Sequence, residues 1–204
     1  MKALAEKVKV ILVTDGDQVA QNVVEDIADS LGLRCISASG GNPTPISGEE
    51  IIRLLKTVPF DPVLVMFDDK GRRGKGSGES ALEYVASHPE VDVLGAIAVA
   101  SNTSGIQGVE PDACIDDRGK IVEKPVNKNG QVESKGCSPR VFGDTVDVLN
   151  YLNIPVIIGV GDIGKMDHAD DLRRGAPITY KAVEEILKRS GILHGGQEQN
   201  QTGH

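Results

Sequence analysis

The sequence is poor in aromatic residues: it has no tryptophan, and aromatic side chains make up 3% of its 204 residues. A folded core must therefore be built mostly from Val, Ile, Leu and Ala. Cysteine is also scarce. Cys35, Cys114 and Cys137 form an odd set without C-x-x-C spacing, which indicates buried or free thiols rather than a disulfide framework or a zinc motif. The four histidines show no metal-binding spacing either.

Long apolar runs and an excess of positive charge are lacking as well. No apolar run approaches the roughly 18 residues that a membrane span requires, and residues 1–7 show no apolar segment of a signal peptide. We therefore expect neither a transmembrane segment nor a signal peptide. The net charge of −8 disfavours non-specific nucleic-acid binding, which depends on surplus Lys and Arg.

What the sequence does contain is an alternation of short apolar runs with amphipathic segments. The apolar runs predict strands, and the segments between them predict helices with apolar residues every three or four positions. Such alternation is typical of a parallel sheet covered on both faces. The predicted fold class is α/β, a three-layer α/β/α arrangement with a mainly parallel sheet, Rossmann-like in organisation. The predicted strands span 8–14, 33–37, 62–67, 91–100 and 155–160; the predicted helices span 18–31, 47–55, 80–87, 144–152 and 177–189.

The alternation breaks between residues 101 and 139, which are rich in Gly, Asn, Asp and Lys. Two turn-like stretches flank a short extended piece there, so we predict a β-hairpin excursion. Asn129-Gly130 suits a type I′ turn. Residues 144–152 then predict a helix. We expect one domain over residues 1–193, with the hairpin as an insertion at about 101–139, and a disordered polar tail over 194–204.

One charged loop stands out, at residues 68–79, directly after the third predicted strand. It combines two carboxylates with four glycines and several cations, and strand ends of this kind are where open α/β sheets bind ligands. Its backbone N–H groups and cations could hold an anion, while its carboxylates could hold a metal. A solvated connection without a ligand is the alternative. The candidate ligand-binding residues are Asp15, Asp17, Asp68, Asp69, Lys70, Arg72, Arg73 and Lys75.

Aspartates end three of the predicted strands: Asp15 and Asp17 the first, Asp68 and Asp69 the third, Asp162 the fifth. In a parallel sheet all five project to one edge and can converge. Anions gathered so closely repel one another unless they share a cation or a proton. This favours Mg²⁺ as a cofactor candidate, with Asp15, Asp68 and Asp69 as ligands. Each aspartate could instead be a helix N-cap or an Asx-turn residue, which we favour for Asp17 and Asp162.

Two phosphate-binding motifs are ruled out or weak. The charged loop lacks the Lys-Ser or Lys-Thr pair of a P-loop, because Gly76 separates Lys75 from Ser77. Residues 159–164 match G-x-G-x-x-G after a strand, but they lie late in the chain, where a dinucleotide site is not expected.

Three stretches carry a resemblance to a known family: Thr14-Asp15-Gly16-Asp17, Asn42-Pro43-Thr44-Pro45 and Met66-Phe67-Asp68-Asp69-Lys70-Gly71. Together they resemble the soluble stage V sporulation protein AE family, over the whole chain short of the tail. This family is encoded with the SpoVA proteins, which move calcium dipicolinate into the developing spore and out of it on germination. The resemblance implies a non-catalytic accessory protein, peripheral at the inner membrane of the spore or forespore. Its implied partners are the other SpoVA proteins, with dipicolinate or another anion as a candidate ligand and a homodimer as a further expectation.

A more distant likeness is to Toprim domains, in which a Glu-Gly and a D-x-D motif together bind Mg²⁺. Here Asp15-Gly16 stands in the Glu position, and Lys70 replaces the second acidic residue of D-x-D. The likeness implies an alternative function, a Mg²⁺-dependent phosphoryl-transfer enzyme or nuclease. Lys70 would compete with the metal, so we predict that the chain is not such an enzyme.

Overall fold

The computed structural model describes residues 6–70, 75–102, 105–133 and 138–193. Within them lie the strands β1 (Val8–Val13), β2 (Arg34–Cys35), β3 (Val63–Met66), β4 (Val91–Val99), β5 (Ala113–Ile115), β6 (Ile121–Val122) and β7 (Ile157–Val160). The α-helices are α1 (Gln18–Ser30), α2 (Gly48–Leu55), α3 (Ser77–Ala86) and α4 (Pro177–Arg189). Shorter 3₁₀ segments lie at 37–39, 147–151, 167–170 and 172–174. The predicted tail at 194–204 and Cys137 lie outside the described residues; Cys35 and Cys114 are free thiols.

The strands form one sheet in the order β2-β3-β1-β4-β7-β5-β6. Every neighbouring pair is parallel except β5 and β6, which are antiparallel. This confirms the α/β class and the mainly parallel sheet predicted from the sequence.

Helices cover both faces of the sheet, so each inner strand buries both of its sides. In β1, Ile11 and Val13 pack into one hydrophobic cluster with α1 and α4, whereas Val10 and Leu12 pack into a second cluster with α2 and α3. All four side chains are fully buried. This explains why the strands read as continuous aliphatic runs rather than as alternating apolar and polar residues.

Two polar residues and a proline stand at three helix starts, and the N-cap role that the sequence favoured for Asp17 is confirmed. Asp17 caps α1 by accepting hydrogen bonds from Val19 N and Ala20 N at 2.8 and 2.9 Å. Ser47 Oγ caps α2 by accepting from Glu50 N, although the Glu50 carboxylate pairs with Arg53 and does not complete a capping box. Pro177 occupies the first turn of α4, where its missing N–H costs nothing.

The stretch between β4 and β7 departs from the predictions in three ways. The β5–β6 hairpin does not leave the sheet: β5 pairs with β7 and extends it. The turn at 127–130 is not type I′, because Gly130 has a positive φ (75°) and Asn129 does not; it is a tight turn closed by Gly130 N donating to Asn127 O. The predicted helix at 144–152 is only a 3₁₀ segment, Asp147–Tyr151, because β-branched and polar residues disfavour an α-helix there.

No helix in the described part of the chain is both long and apolar enough to cross a membrane.

Candidate functional site

The carboxyl ends of β1, β3, β4 and β7 lie along one edge of the sheet, because these strands are parallel. After β1 the chain enters α1, which packs on one face of the sheet. After the neighbouring strand β3 it enters α3, which packs on the other face. The two connections therefore diverge, and such a topological switch point leaves a crevice where α/β proteins bind ligands.

A pocket of about 80 Å³ lies at this switch point, and we call it the acidic pocket. Five of its side chains are carboxylates and one is an ammonium group. Its lining residues are Thr14, Asp15, Asp17, Asn42, Asp68, Val99, Ser101, Asp144, Asp162 and Lys165. The structure thus brings together four of the five aspartates that the sequence placed at strand ends.

Hydrogen bonds fix the loops around the acidic pocket. Thr44 Oγ1 accepts from Asp68 N at 2.9 Å, and Thr44 N donates to Asp68 O at the same distance, which ties the 40–45 loop to the end of β3. Gly41 N donates to Gly16 O at 2.5 Å, which ties that loop to the turn after β1. Thr14 Oγ1 donates to Ile97 O and accepts from Val99 N, linking β1 to β4. The pocket is therefore supported from three strands.

The other carboxylates of the pocket also accept hydrogen bonds. Asp15 Oδ1 accepts from Asp17 N at 3.3 Å, and Asp68 Oδ1 accepts from Lys70 N at 3.1 Å. Asp144 Oδ1 accepts from Ser101 Oγ at 2.8 Å. The stronger contact is an ion pair in which Lys165 Nζ lies 2.5 Å from Asp162 Oδ2.

Burial and mutual repulsion make these aspartates weaker acids than usual. Burial, with added repulsion from Asp17, Asp68 and Asp162, raises the pKa of Asp15 well above its ordinary value. Burial, together with the charge of Asp144, raises the pKa of Asp68 to about 6. Burial also raises the pKa of Asp162, although Lys165 opposes the shift. Burial and mutual repulsion therefore favour the protonated forms of these three carboxyl groups.

Asp69 takes no part in the acidic pocket. Its two oxygens accept from Gly78 N at 2.7 Å and from Glu79 N at 2.6 Å, so its buried carboxylate caps the first turn of α3. The set Asp15, Asp68 and Asp69 is not assembled around one point. Among the residues that the structure describes, no three His, Cys, Asp or Glu side chains are placed to hold a metal ion. The metal assignment stays a prediction.

Of the four cations of the charged loop, the structure describes Lys70 and Lys75. Lys70 is exposed and has a positive φ of 57°. The ammonium group of Lys75 pairs with the Glu83 carboxylate of α3. Arg72 and Arg73 lie outside the described residues.

Sequence reasoning did not assign several residues of the acidic pocket to a site, among them Asn42, Asp144 and Lys165. Asn42 lies in a stretch that carries the family resemblance but was not proposed as part of the site. Asp144 lies within the predicted 144–152 helix and reaches the pocket because the chain returns to the sheet beside β4, which no local pattern indicates. Lys165 follows Asp162 by three residues, and this short spacing was the one available signal for their ion pair.

A model of the family described as Stage V sporulation protein AE1 matches residues 9–190 of the chain. This span contains every residue of the acidic pocket. No curated protein and no solved structure matches the chain significantly. The narrower likeness to Toprim domains therefore stays a prediction.

Proposed function

The chain belongs to the stage V sporulation protein AE family, which gives it a role in sporulation, and from this premise we propose a more specific function. The protein is a non-catalytic accessory of the SpoVA calcium-dipicolinate channel. It acts at the inner membrane of the spore, during sporulation and germination, and is attached there through other SpoVA proteins. The single observation that carries the proposal is the family match, which extends over nine-tenths of the chain.

The geometry of the acidic pocket supports a binding role more than a catalytic one. A Mg²⁺-dependent phosphoryl-transfer enzyme would need Asp69 to join Asp15 and Asp68 around a metal. Both Asp69 oxygens are instead occupied by the amides of α3. At about 80 Å³ the pocket is also well below the roughly 300 Å³ at which small-molecule sites begin, so it is too small for an organic substrate.

Two surfaces are candidates for contact with the channel proteins. One is the charged loop at 68–79, which carries Arg72, Arg73 and Lys75. The other is the 101–139 segment, whose β5–β6 hairpin ends the sheet and exposes Ile121. The cations of the charged loop would attract an acidic surface of a partner. They form a local positive group on a chain whose net charge is −8.

The test compares spores that contain the chain with spores that lack it. We expect the deletion strain to change dipicolinate content or the rate of dipicolinate release during germination. We also expect the tagged chain to co-purify with the inner membrane only when the other SpoVA proteins are present. Normal dipicolinate handling together with no co-purification would refute the accessory role.

A pair of double variants locates the contact. Arg72→Ala with Arg73→Ala removes two cations from the charged loop, and we expect it to weaken co-purification. Arg53→Ala with Lys56→Ala removes the same charge from the exposed face of α2 and the residue that follows it, and serves as the control. Equal co-purification of the two double variants would remove the charged loop as the contact surface.

A further inference from the structure

The turn at 127–130 contains the one asparagine of the chain that is followed by glycine, Asn129. An Asn-Gly pair is prone to deamidation, because glycine has no side chain to hinder the attack of its backbone nitrogen on the asparagine side chain. Asn129 is exposed and borders a pocket of about 400 Å³ beside the end of β4, so water can reach its side-chain amide. That amide forms no hydrogen bond with a described residue.

Asn127 closes this turn with both its side chain and its backbone. Asn127 Oδ1 accepts from Asn129 N and Gln131 N at 2.9 and 3.1 Å, and Asn127 O accepts from Gly130 N at 2.9 Å. The bond from Gly130 N matters most, because this nitrogen is the atom that would attack Asn129 Cγ. A backbone N–H that donates within a fixed turn is less free to lose its proton, and the turn must open before its nitrogen can move to Cγ.

The turn is anchored to the rest of the fold at two points. Lys128 O accepts from Asp162 N at 2.8 Å, and Gly130 O accepts from Asp117 N at the same distance. Gly130 is buried, and the missing side chain of Gly161 leaves it room, since a Cβ there would lie 2.6 Å from Gly130 N. The peptide groups on both sides of the tip of the turn are therefore fixed, and one of them is bonded to a residue of the acidic pocket.

From these contacts we propose that Asn129 is a deamidation site whose rate is controlled by the hydrogen bonds of Asn127. When the turn opens, Gly130 N loses its proton to a base in the solvent and attacks Asn129 Cγ. The Cγ–Nδ2 bond then breaks, and ammonia leaves with a proton taken from solvent, so that a succinimide ring remains. Water opens the ring at either carbonyl and gives aspartate or isoaspartate at position 129. This inference does not rest on the accessory role.

Deamidation would change the turn in two ways. Either product places a new carboxylate next to Lys128. Isoaspartate also adds one CH₂ group to the main chain, so the two anchoring bonds, at Lys128 O and Gly130 O, would no longer fit together. Because one of these bonds is donated by Asp162 N, the modification would be felt at the edge of the acidic pocket.

The first test compares the folded full chain with the same chain unfolded in guanidinium chloride, both kept in one mildly alkaline buffer. Mass spectrometry of the peptides that contain residue 129 gives the rate of deamidation, and two-dimensional NMR of the folded sample follows the Asp162 amide. We expect folding to slow deamidation of Asn129 by about tenfold or more, the combined scale of the hydrogen bonds from Asn129 N and Gly130 N. A second Asp162 signal should grow as the deamidated form accumulates.

Three variants assign the protection to the turn. Asn127→Ala removes the side-chain acceptor and should raise the rate at Asn129 by about fivefold or more, the scale of one lost hydrogen bond. Asn127→Asp keeps an acceptor oxygen in the same place and should stay close to the wild-type rate. Ser47→Ala removes a side-chain acceptor of a backbone N–H at the start of α2 and is the matched control for general destabilisation.

The proposal is overturned if the folded and unfolded chains deamidate at Asn129 at the same rate, or if the Asp162 signal stays unchanged while the deamidated form accumulates. Equal rates for Asn127→Ala and Ser47→Ala would overturn it as well. The comparison of the folded and unfolded wild type decides the matter even if Asn127→Ala does not fold.

Discussion

Asp68→Asn should stabilise the protein, and only above mildly acidic pH. The substitution removes a charge that burial and the nearby Asp144 make costly, as the raised pKa of Asp68 shows. It keeps an oxygen that can still accept from Lys70 N. Asparagine is nearly the same size, so the packing of the site is preserved.

The expected gain in folding stability follows from the difference between the pKa of Asp68 in the folded chain and in the unfolded chain. A carboxyl whose pKa rises from 3.8 to about 6 on folding lowers the folding stability by up to about 3 kcal/mol where it is ionised. Asp68 borders a pocket that water can enter, so screening reduces the expected gain from Asp68→Asn to about 1–2 kcal/mol. Removing the charge of Asp68 also removes part of the repulsion that raises the pKa of Asp15.

The sign of the pH dependence is fixed by which state holds more protons. Between about pH 4 and pH 6 the folded wild type keeps a proton on Asp68 that the unfolded chain has lost, so its stability falls as the pH rises through this window. Asparagine has no such proton. The advantage of Asp68→Asn should therefore be near zero at about pH 4 and reach its full value above about pH 6.

Urea unfolding at several pH values measures this difference directly. Asp26→Asn, which removes one charge from an exposed position on α1, serves as the matched control and should show no comparable pH-dependent gain. The reasoning is refuted if Asp68→Asn is less stable than the wild type at about pH 8, or if its effect is the same at every pH.

Three further predictions concern the same edge of the sheet. Asp69→Ala should destabilise the chain by about 2–4 kcal/mol in urea unfolding, because Gly78 N and Glu79 N lose a charged acceptor in a buried place. Asp69→Asn should cost less stability. Equal stability of Asp69→Ala and the wild type would contradict this. Gly78→Ala should lower the melting temperature far more than Gly119→Ala, since its new Cβ would overlap Asp68 O, whereas the one at Gly119 has open space and costs only about 1 kcal/mol for its positive φ. Millimolar Mg²⁺ should give no saturable heat in calorimetry, because Asp69 is turned away from Asp15; saturable heat that Asp68→Asn abolishes would restore the phosphoryl-transfer alternative.

Local features of the fold were predictable because local chemistry determines them. Continuous aliphatic runs identify strands buried on both faces. Asp17 and Ser47 mark helix starts through hydrogen bonds that lie within a few residues, and Pro177 marks one through its fixed φ and missing N–H. The strand ends were predictable for the same reason, and so was the grouping of Asp15, Asp68 and Asp162 at one edge once the sheet was taken as parallel.

Long-range pairing was not predictable, because no local pattern encodes it. The placement of β5 beyond β7 makes part of the 101–139 segment a continuation of the sheet. The return of the chain beside the end of β4, where Ser101 N donates to Phe142 O, brings Asp144 to the acidic pocket. The sequence also did not show which member of the Asp68-Asp69 pair faces the pocket.

The glycines of the charged loop explain how that pair is divided. A Cβ at Gly76 would overlap the Asp69 carboxylate, and one at Gly78 would overlap the backbone of Asp68. These two glycines therefore let the first turn of α3 close directly onto the end of β3, so they are needed for packing rather than for a flexible ligand loop. The first amides of α3 then donate to the Asp69 carboxylate. Asp68 lies one residue earlier, so its side chain points to the other side of the chain and lines the acidic pocket. One carboxylate stabilises the fold while its neighbour costs stability, which is why substitution of the two should have opposite effects. The charge of Asp68 lowers stability at the topological switch point, and residues that lower stability in this way are expected where function requires them.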